Sequence, residues 1–170
     1  QFDVGMAFCG KDIVAAVAEI ARKIPHQIAL EDTTFQPLTY RRLMVGADVL
    51  SRGLGSAVAD GERVGILLPN VNATPVVIFA LWRLGKAPAM LNFTSGTTTM
   101  LACVKLAGLK HIVTSRAFLE RARINVEPFL NAGVQIIYLE DVRANIGSGR
   151  KIATLLRHKV GLQSPPPPAL

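Results

Sequence analysis

The sequence predicts an α/β fold: a mainly parallel sheet with helices on both faces. Three observations carry this. Short apolar runs alternate along the chain with segments whose apolar residues return at helical spacing. The run Arg63-Val-Gly-Ile-Leu-Leu68 is apolar on both faces, as a central strand covered from two sides must be. The segments between such runs are long enough for the crossover that parallel pairing requires.

The elements follow in chain order. Ile13, Val14, Val17, Ala18, Ile20 and Ala21 make one helical stripe within residues 11–23, with Asp12 suited to the first turn and Pro25 as the stop. Residues 27–30 and 38–40 read as short strands around a polar turn at 31–37, a hairpin. Thr39 is placed to cap a helix over 40–54, with Leu43, Ala47 and Leu50 on one face and Gly53 and Gly55 closing it. Asp60-Gly61 is a turn, the strand 63–68 follows, and Pro69-Asn70 stops it. Asn72 or Thr74 starts a helix to Leu84, ended by Gly85. Then come strand 87–91, helix 94–107 before Gly108, strand 111–114, a helix from a Ser115 cap to Arg123, and strand 134–139.

Composition narrows the function classes. Half of the 170 residues are hydrophobic and 18% are charged, which excludes global disorder and permits one substantial core. The net charge is +7, but the basic residues are scattered, with Arg41-Arg42 and Lys110-His111 the tight pairs outside the C-terminal tail. No basic stripe is interleaved with aromatics, so nucleic acid is not an expected partner. Cys9 and Cys103 lie far apart, and His26, His111 and His158 fall in separate segments. No zinc or other metal site is expected, and two lone cysteines fit a reducing, cytoplasmic setting. The most apolar stretch, residues 75–82, is closed by Arg83 and is too short to span a bilayer. No signal peptide is visible and the chain opens without Met, which reads as a segment of a longer protein.

The C-terminal part differs in kind. Residues 144–149 form a small-residue loop, and 150–160 read as a basic amphipathic helix with Ile152, Leu155 and Leu156 on one face. Three roles fit that stripe: docking on its own sheet, which its shortness favours, an interfacial helix in peripheral contact with a membrane, or a patch for an acidic carrier protein. Pro165 to Pro168 is a polyproline stretch. The expected division is therefore one subdomain over 1–160 and a proline-rich linker over 161–170.

Three ordered stretches carry a family resemblance. They are Ala29-Leu-Glu-Asp32 with Leu38-Thr-Tyr-Arg-Arg-Leu43; Gly61-Glu-Arg-Val-Gly-Ile-Leu-Leu-Pro-Asn70; and Ala80-Leu-Trp-Arg-Leu-Gly-Lys-Ala-Pro-Ala-Met-Leu-Asn92 followed by Leu106-Ala-Gly-Leu-Lys-His-Ile-Val-Thr-Ser115. Together they resemble the N-terminal part of the acyl-CoA synthetase, adenylation-domain and luciferase superfamily. Pro88-Ala-Met-Leu-Asn92 and Val113-Thr-Ser-Arg-Ala-Phe-Leu119 look most like the acyl-carrier-protein synthetase half of bifunctional 2-acylglycerophosphoethanolamine acyltransferases.

The resemblance implies a two-step ligase. A fatty acid carboxylate attacks the α-phosphate of Mg-ATP, and the acyl group then passes to the thiol of CoA or acyl carrier protein. It also implies a Thr-Ser-Gly-[Ser/Thr]-x-Gly-x-Pro-Lys phosphate loop shortly beyond Leu170, in a catalytic part that these residues do not contain. No catalytic residue is expected here, and neither ATP nor Mg is expected to bind this segment by itself.

Thr94-Ser-Gly-Thr-Thr98 copies the first letters of that loop, which makes Thr94, Ser95 and Gly96 a candidate nucleotide site. The loop's second Gly, its Pro and its Lys are missing, so the adopted reading is a helix start capped by Thr94 or Ser95. Asp32 and Asp60 read as turn residues, Phe79 and Trp82 as core, Tyr40 and His111 as capping or packing groups, and His158 as solvated. Glu140-Asp141 after a strand suggests a ribose ligand, but no Gly-x-Gly-x-x-Gly precedes it. Two other functions stay open: a non-catalytic interaction module, and a small nucleotide-binding domain using residues 94–99.

Overall fold

The computed structural model describes residues 12–33 and 35–146. The expected linker at 161–170, the basic segment at 150–160 and His158 lie outside them. The helix α1 (Ile13–Lys23) begins at Asp12, whose carboxylate accepts from the Ala15 N–H at 2.7 Å. The hairpin β1 (Ile28–Glu31) and β2 (Pro37–Thr39) is antiparallel and leads into α2 (Tyr40–Leu54), capped by the Thr39 hydroxyl. Next come β3 (Arg63–Ile66), α3 (Ala73–Arg83), β4 (Ala87–Met90), α4 (Thr97–Leu106), β5 (His111–Thr114) and α5 (Arg116–Ala122). α6 (Glu127–Asn131), β6 (Gln135–Tyr138) and α7 (Leu139–Asn145) complete the described chain.

The four strands β3 to β6 form one parallel sheet in the order β4-β3-β5-β6, so the expected fold class is what the chain adopts. Alternation along β3 explains the layers. Val64, Ile66 and Leu68 pack with α2, α3 and α7, while Leu67 points the other way into the Met100, Phe118 and Phe129 cluster beneath α4, α5 and α6. Gly65 lies where a Cβ would come within 2.9 Å of Ile112, so its absence lets β5 pack closely. A third cluster holds α1 and the hairpin over α2 through Val14, Ala18, Leu38, Met44 and Phe79.

Two internal contacts fix α2. Its Asp48 accepts from Arg83 of α3 at 2.8 Å, a pair whose side chains are only 6% and 7% exposed. Gly53 does not close the helix, which runs on to Leu54. A Cβ there would come within 2.7 Å of Val142 and 2.9 Å of Ile146, so this glycine admits α7. The sequence assigns no element where α6 forms. Around α7 it shows only a strand ending at Leu139 and a small-residue loop from residue 144, where the helix in fact runs from Leu139 to Asn145. Both are short helices of 5 and 7 residues, below the length at which apolar periodicity shows. Pro128 in the first turn was the available signal for α6.

The carboxyl edge of the sheet

In a parallel sheet the chain leaves every strand at the same edge. Successive crossovers go to opposite sides between β3 and β5, the switch point of this sheet. The seam at that point is closed by Thr114, fully buried, whose hydroxyl donates to the Leu67 carbonyl at 2.7 Å. Beside it, Thr74 donates to the Pro69 carbonyl at 2.7 Å, tying the start of α3 to the end of β3. Asp32 does more than turn the hairpin: its carboxylate accepts from the Gln36 N–H at 3.3 Å and from the Asn72 N–H at 3.2 Å.

A four-residue polar group occupies the β5–β6 side of this edge. Ser115 donates to one Glu140 oxygen at 2.8 Å and its own oxygen accepts the Phe118 N–H at 3.4 Å, capping α5. Burial raises the Glu140 carboxyl, but the Ser115 hydroxyl and the backbone N–H groups of Glu140, Arg116 and Ala117 outweigh it and hold the group below its ordinary range. The next residues pair as well: Arg116 meets both Asp141 oxygens at 2.7 Å. Its guanidinium also lies 4.0 Å above the Tyr138 ring. The hydrogen bond from Arg116 holds the Asp141 carboxyl below its usual range. These pairs join residues 25 apart in sequence, so only the topology brings them together. The Ser115 cap was legible; its partner was not.

Thr94, Ser95 and Gly96 lie at the same edge, across β3. α4 begins at Thr97, and its cap is Gly96, with no side-chain capping bond; the expected cap by Thr94 or Ser95 does not form. The physical reason is Asn92. Its Oδ1 accepts from the Thr94 N–H at 3.0 Å and the Thr94 hydroxyl at 2.7 Å, and its carbonyl accepts the Ser95 hydroxyl at 2.7 Å. A single 3₁₀ turn over Phe93–Ser95 results, and Gly96 at φ 81° then redirects the chain into α4.

The remaining residues singled out by sequence take packing roles. Phe79 and Trp82 meet edge-on at 5.2 Å. His111 is buried at the opposite, amino edge of the sheet, and burial pulls its pKa below the ordinary value despite Asp60 nearby. Among the described residues no His, Cys, Asp and Glu cluster is suited to a metal. Nor do they supply a lysine-bearing glycine loop for Mg-ATP. Among the described residues no helix is long and apolar enough to cross a membrane. Beside the polar edge, α2, α3 and α7 enclose a concavity of about 470 Å³ lined by Val45, Val49, Val76, Leu139, Arg143 and Ile146 among others.

The architecture is thus a four-stranded parallel sheet with a switch point between β3 and β5, preceded by an antiparallel hairpin and a long helix. The AMP-binding enzyme family model matches residues 17–164, and the chain belongs to that family. Over 82 residues it is 40% identical to 2-hydroxy-7-methoxy-5-methyl-1-naphthoate–CoA ligase of Streptomyces carzinostaticus, covering 46% of this chain and 14% of that one. Its fold is similar to that of VinN in complex with 3-methylaspartate, with a TM-score of 0.69, 22% identity, and coverage of 85% of this chain and 39% of VinN. The N-terminal subdomain of Klebsiella oxytoca NpsA gives a TM-score of 0.67 at 18% identity, over 81% of this chain and 32% of that one. The fold is thus that of the N-terminal subdomain of adenylate-forming enzymes. The chain spans well under half the length of each of these relatives.

Proposed function

We propose that the protein carrying this chain is an acid–thiol ligase that proceeds through an acyl-adenylate. A carboxylate oxygen of the acid bonds to the α-phosphorus of ATP as the bond to the bridging oxygen breaks and pyrophosphate leaves. A thiol sulfur then bonds to the acyl carbon, AMP departs, and the thiol proton passes to solvent. The observation that carries the reading is the family match over 17–164. A relative named as a CoA ligase supports it, as does a similar fold in o-succinylbenzoate CoA synthetase of Bacillus subtilis, whose structure contains ATP and magnesium. In this reading the described residues contribute the parallel sheet and its carboxyl edge to the enzyme.

For the acid, the reading is a fatty acid, with acyl carrier protein or CoA as the thiol donor. Its support is the likeness of Pro88 to Asn92 and Val113 to Leu119 to acyl-carrier-protein synthetases that are fused to a lysophospholipid acyltransferase. The naphthoate–CoA ligase at 40% identity favours a second reading, an aromatic acid. ATP–pyrophosphate exchange by the whole protein tests both. Exchange that appears only with a carboxylic acid is expected, and faster with long-chain fatty acids than with naphthoates. Exchange indifferent to any acid would remove the ligase reading, and a preference for naphthoates would replace the first acid by the second.

A further inference from the structure

The chain leaving β3 runs through residues 67–72 at the switch point, the place where an open parallel sheet holds its ligand. That stretch is fixed at three places. The Leu67 carbonyl accepts from the Thr114 hydroxyl at 2.7 Å, and the Pro69 carbonyl accepts from the Thr74 hydroxyl at 2.7 Å. The third tie comes from the hairpin, 40 residues before Asn72 in the chain. One Asp32 oxygen accepts from the Asn72 N–H at 3.2 Å and the other from the Gln36 N–H at 3.3 Å. The Asn72 side chain in turn donates to the Gln36 carbonyl at 2.6 Å. Asp32, Gln36 and Asn72 thus close a ring of hydrogen bonds between the hairpin and the loop.

The ring settles which donors of the loop are taken. The Asn72 side chain is engaged by Gln36 and does not cap α3, while the Asp32 carboxylate lies at the positive end of that helix. Between the held Pro69 and the clamped Asn72 stands Asn70, an exposed residue whose amide has no hydrogen-bond partner among the described residues. A loop tied on both sides of a free amide has little order left to lose when that amide is engaged. On the ligase reading, we propose that Asn70 is a binding residue of the acid-activating reaction. Its amide N–H donates to an anionic oxygen, the carboxylate of the acid or a phosphate of ATP. Asp32 and Asn72 are its positioning residues.

Calorimetric titration of the whole protein tells the two oxygens apart. One arm uses the fatty acid or naphthoate that supports pyrophosphate exchange, the other Mg-ATP. Asn70→Ala is expected to weaken one of the two ligands about tenfold, the loss of a hydrogen bond to a charged group, and to leave the other unchanged. Asp32→Ala should weaken the same ligand about threefold, and should add nothing once Asn70 is alanine, because it acts through that residue. Asp32→Asn, which keeps one acceptor oxygen, should fall between Asp32→Ala and the parent. A clamp that only stabilised the fold would lower the fraction of protein able to bind and leave the affinity alone, which overturns the positioning role. Unchanged affinities in Asn70→Ala, or additive losses in the double variant, overturn the proposal as well. Exchange by the parent that ignores every acid removes the ligase reading and this assignment with it. Acid-dependent exchange with unchanged affinities in Asn70→Ala removes the assignment alone.

Discussion

The turn from β4 into α4 and the turn from β5 into α5 leave the same sheet edge on either side of β3, and they use their hydroxyls differently. At the first, Thr94 and Ser95 spend their hydroxyls within three residues, on Asn92, and the helix behind them starts without a side-chain cap. At the second, Ser115 caps its own helix and reaches 25 residues along the chain to Glu140. The first has the letters of a phosphate loop, and its Thr94 and Ser95 hydroxyls are already bonded to Asn92. The second resembles no motif, yet it is where charge is arranged and a carboxyl is tuned. Hydroxyl-rich spelling reports what a loop contains; the partner each hydroxyl finds decides what remains for a ligand.

The largest expected effect lies at the first turn, in its backbone. Gly96 has φ 81° and ψ 159°, a region open almost only to glycine, while nothing lies within 4 Å of a built Cβ. Gly96→Ala should therefore cost about 1–3 kcal/mol from backbone strain alone. Urea unfolding reads it. A loss near zero would mean that the turn adapts, and that its self-contained bonding does not hold it in place.

Next comes the link at the second turn. Ser115→Ala removes a helix cap and a charge-assisted hydrogen bond, for an expected loss of about 1–2 kcal/mol. Glu140→Gln should lose less, and the double variant should fall short of the sum because the two side chains share one interaction. The pH dependence carries a sign. Glu140 has its pKa lowered from an ordinary 4.5, so its stabilisation is present above that value and is lost as pH falls through the folded pKa. Unfolding midpoints measured between pH 7 and 3 should drop less steeply in Ser115→Ala than in the parent. Parallel curves would remove Ser115 as the source.

Much of this was legible beforehand, for identifiable reasons. β3 and β5 declare themselves because both of their faces are buried, and α2 does so because Leu43, Ala47 and Leu50 repeat at helical spacing along 15 residues. The hairpin, the Thr39 cap and the Ser115 cap are local, and local chemistry can be read from neighbours. α6 and α7 were missed because a helix of 5 or 7 residues shows too little of its period. Gly53 was misread because its reason, the approach of Val142 and Ile146, comes from far along the chain. The Ser115–Glu140 and Arg116–Asp141 pairs were hidden for the same cause. Glu140 and Asp141 stand out in the sequence as acidic residues after a strand, but nothing in their neighbourhood names a partner.

A smaller effect is expected from the hydroxyls of the first turn. Ser95→Ala removes one exposed hydrogen bond to Asn92, worth about 0.5–1 kcal/mol. If the comparison holds, neither Ser95→Ala nor Thr94→Val changes how the chain meets nucleotide. Calorimetric titration with Mg-ATP should give a dissociation constant weaker than about 10 μM for parent and variants alike. Tight binding that disappears in either variant would show that these hydroxyls leave Asn92 for phosphate, and would restore the turn as a nucleotide site.

The smallest effect is expected from the most visible contact, Arg116 with Asp141. Both bonds are 2.7 Å long and the geometry is bidentate, which on distance alone suggests a strong pair. Exposure argues the other way: the two side chains are 47% and 57% accessible, so water and salt screen the attraction, and ordering both costs conformational entropy. Arg116 also lies over the Tyr138 ring, a contact that does not depend on the carboxylate. Asp141→Asn should thus destabilise less than Ser115→Ala, and the difference from the parent should vanish near 1 M salt, where screening acts over about 3 Å. A salt-independent loss as large as that of Ser115→Ala would mean that the pair is shielded from solvent. The polar group at the second turn would then act as one network rather than as a partly buried link beside a surface clasp.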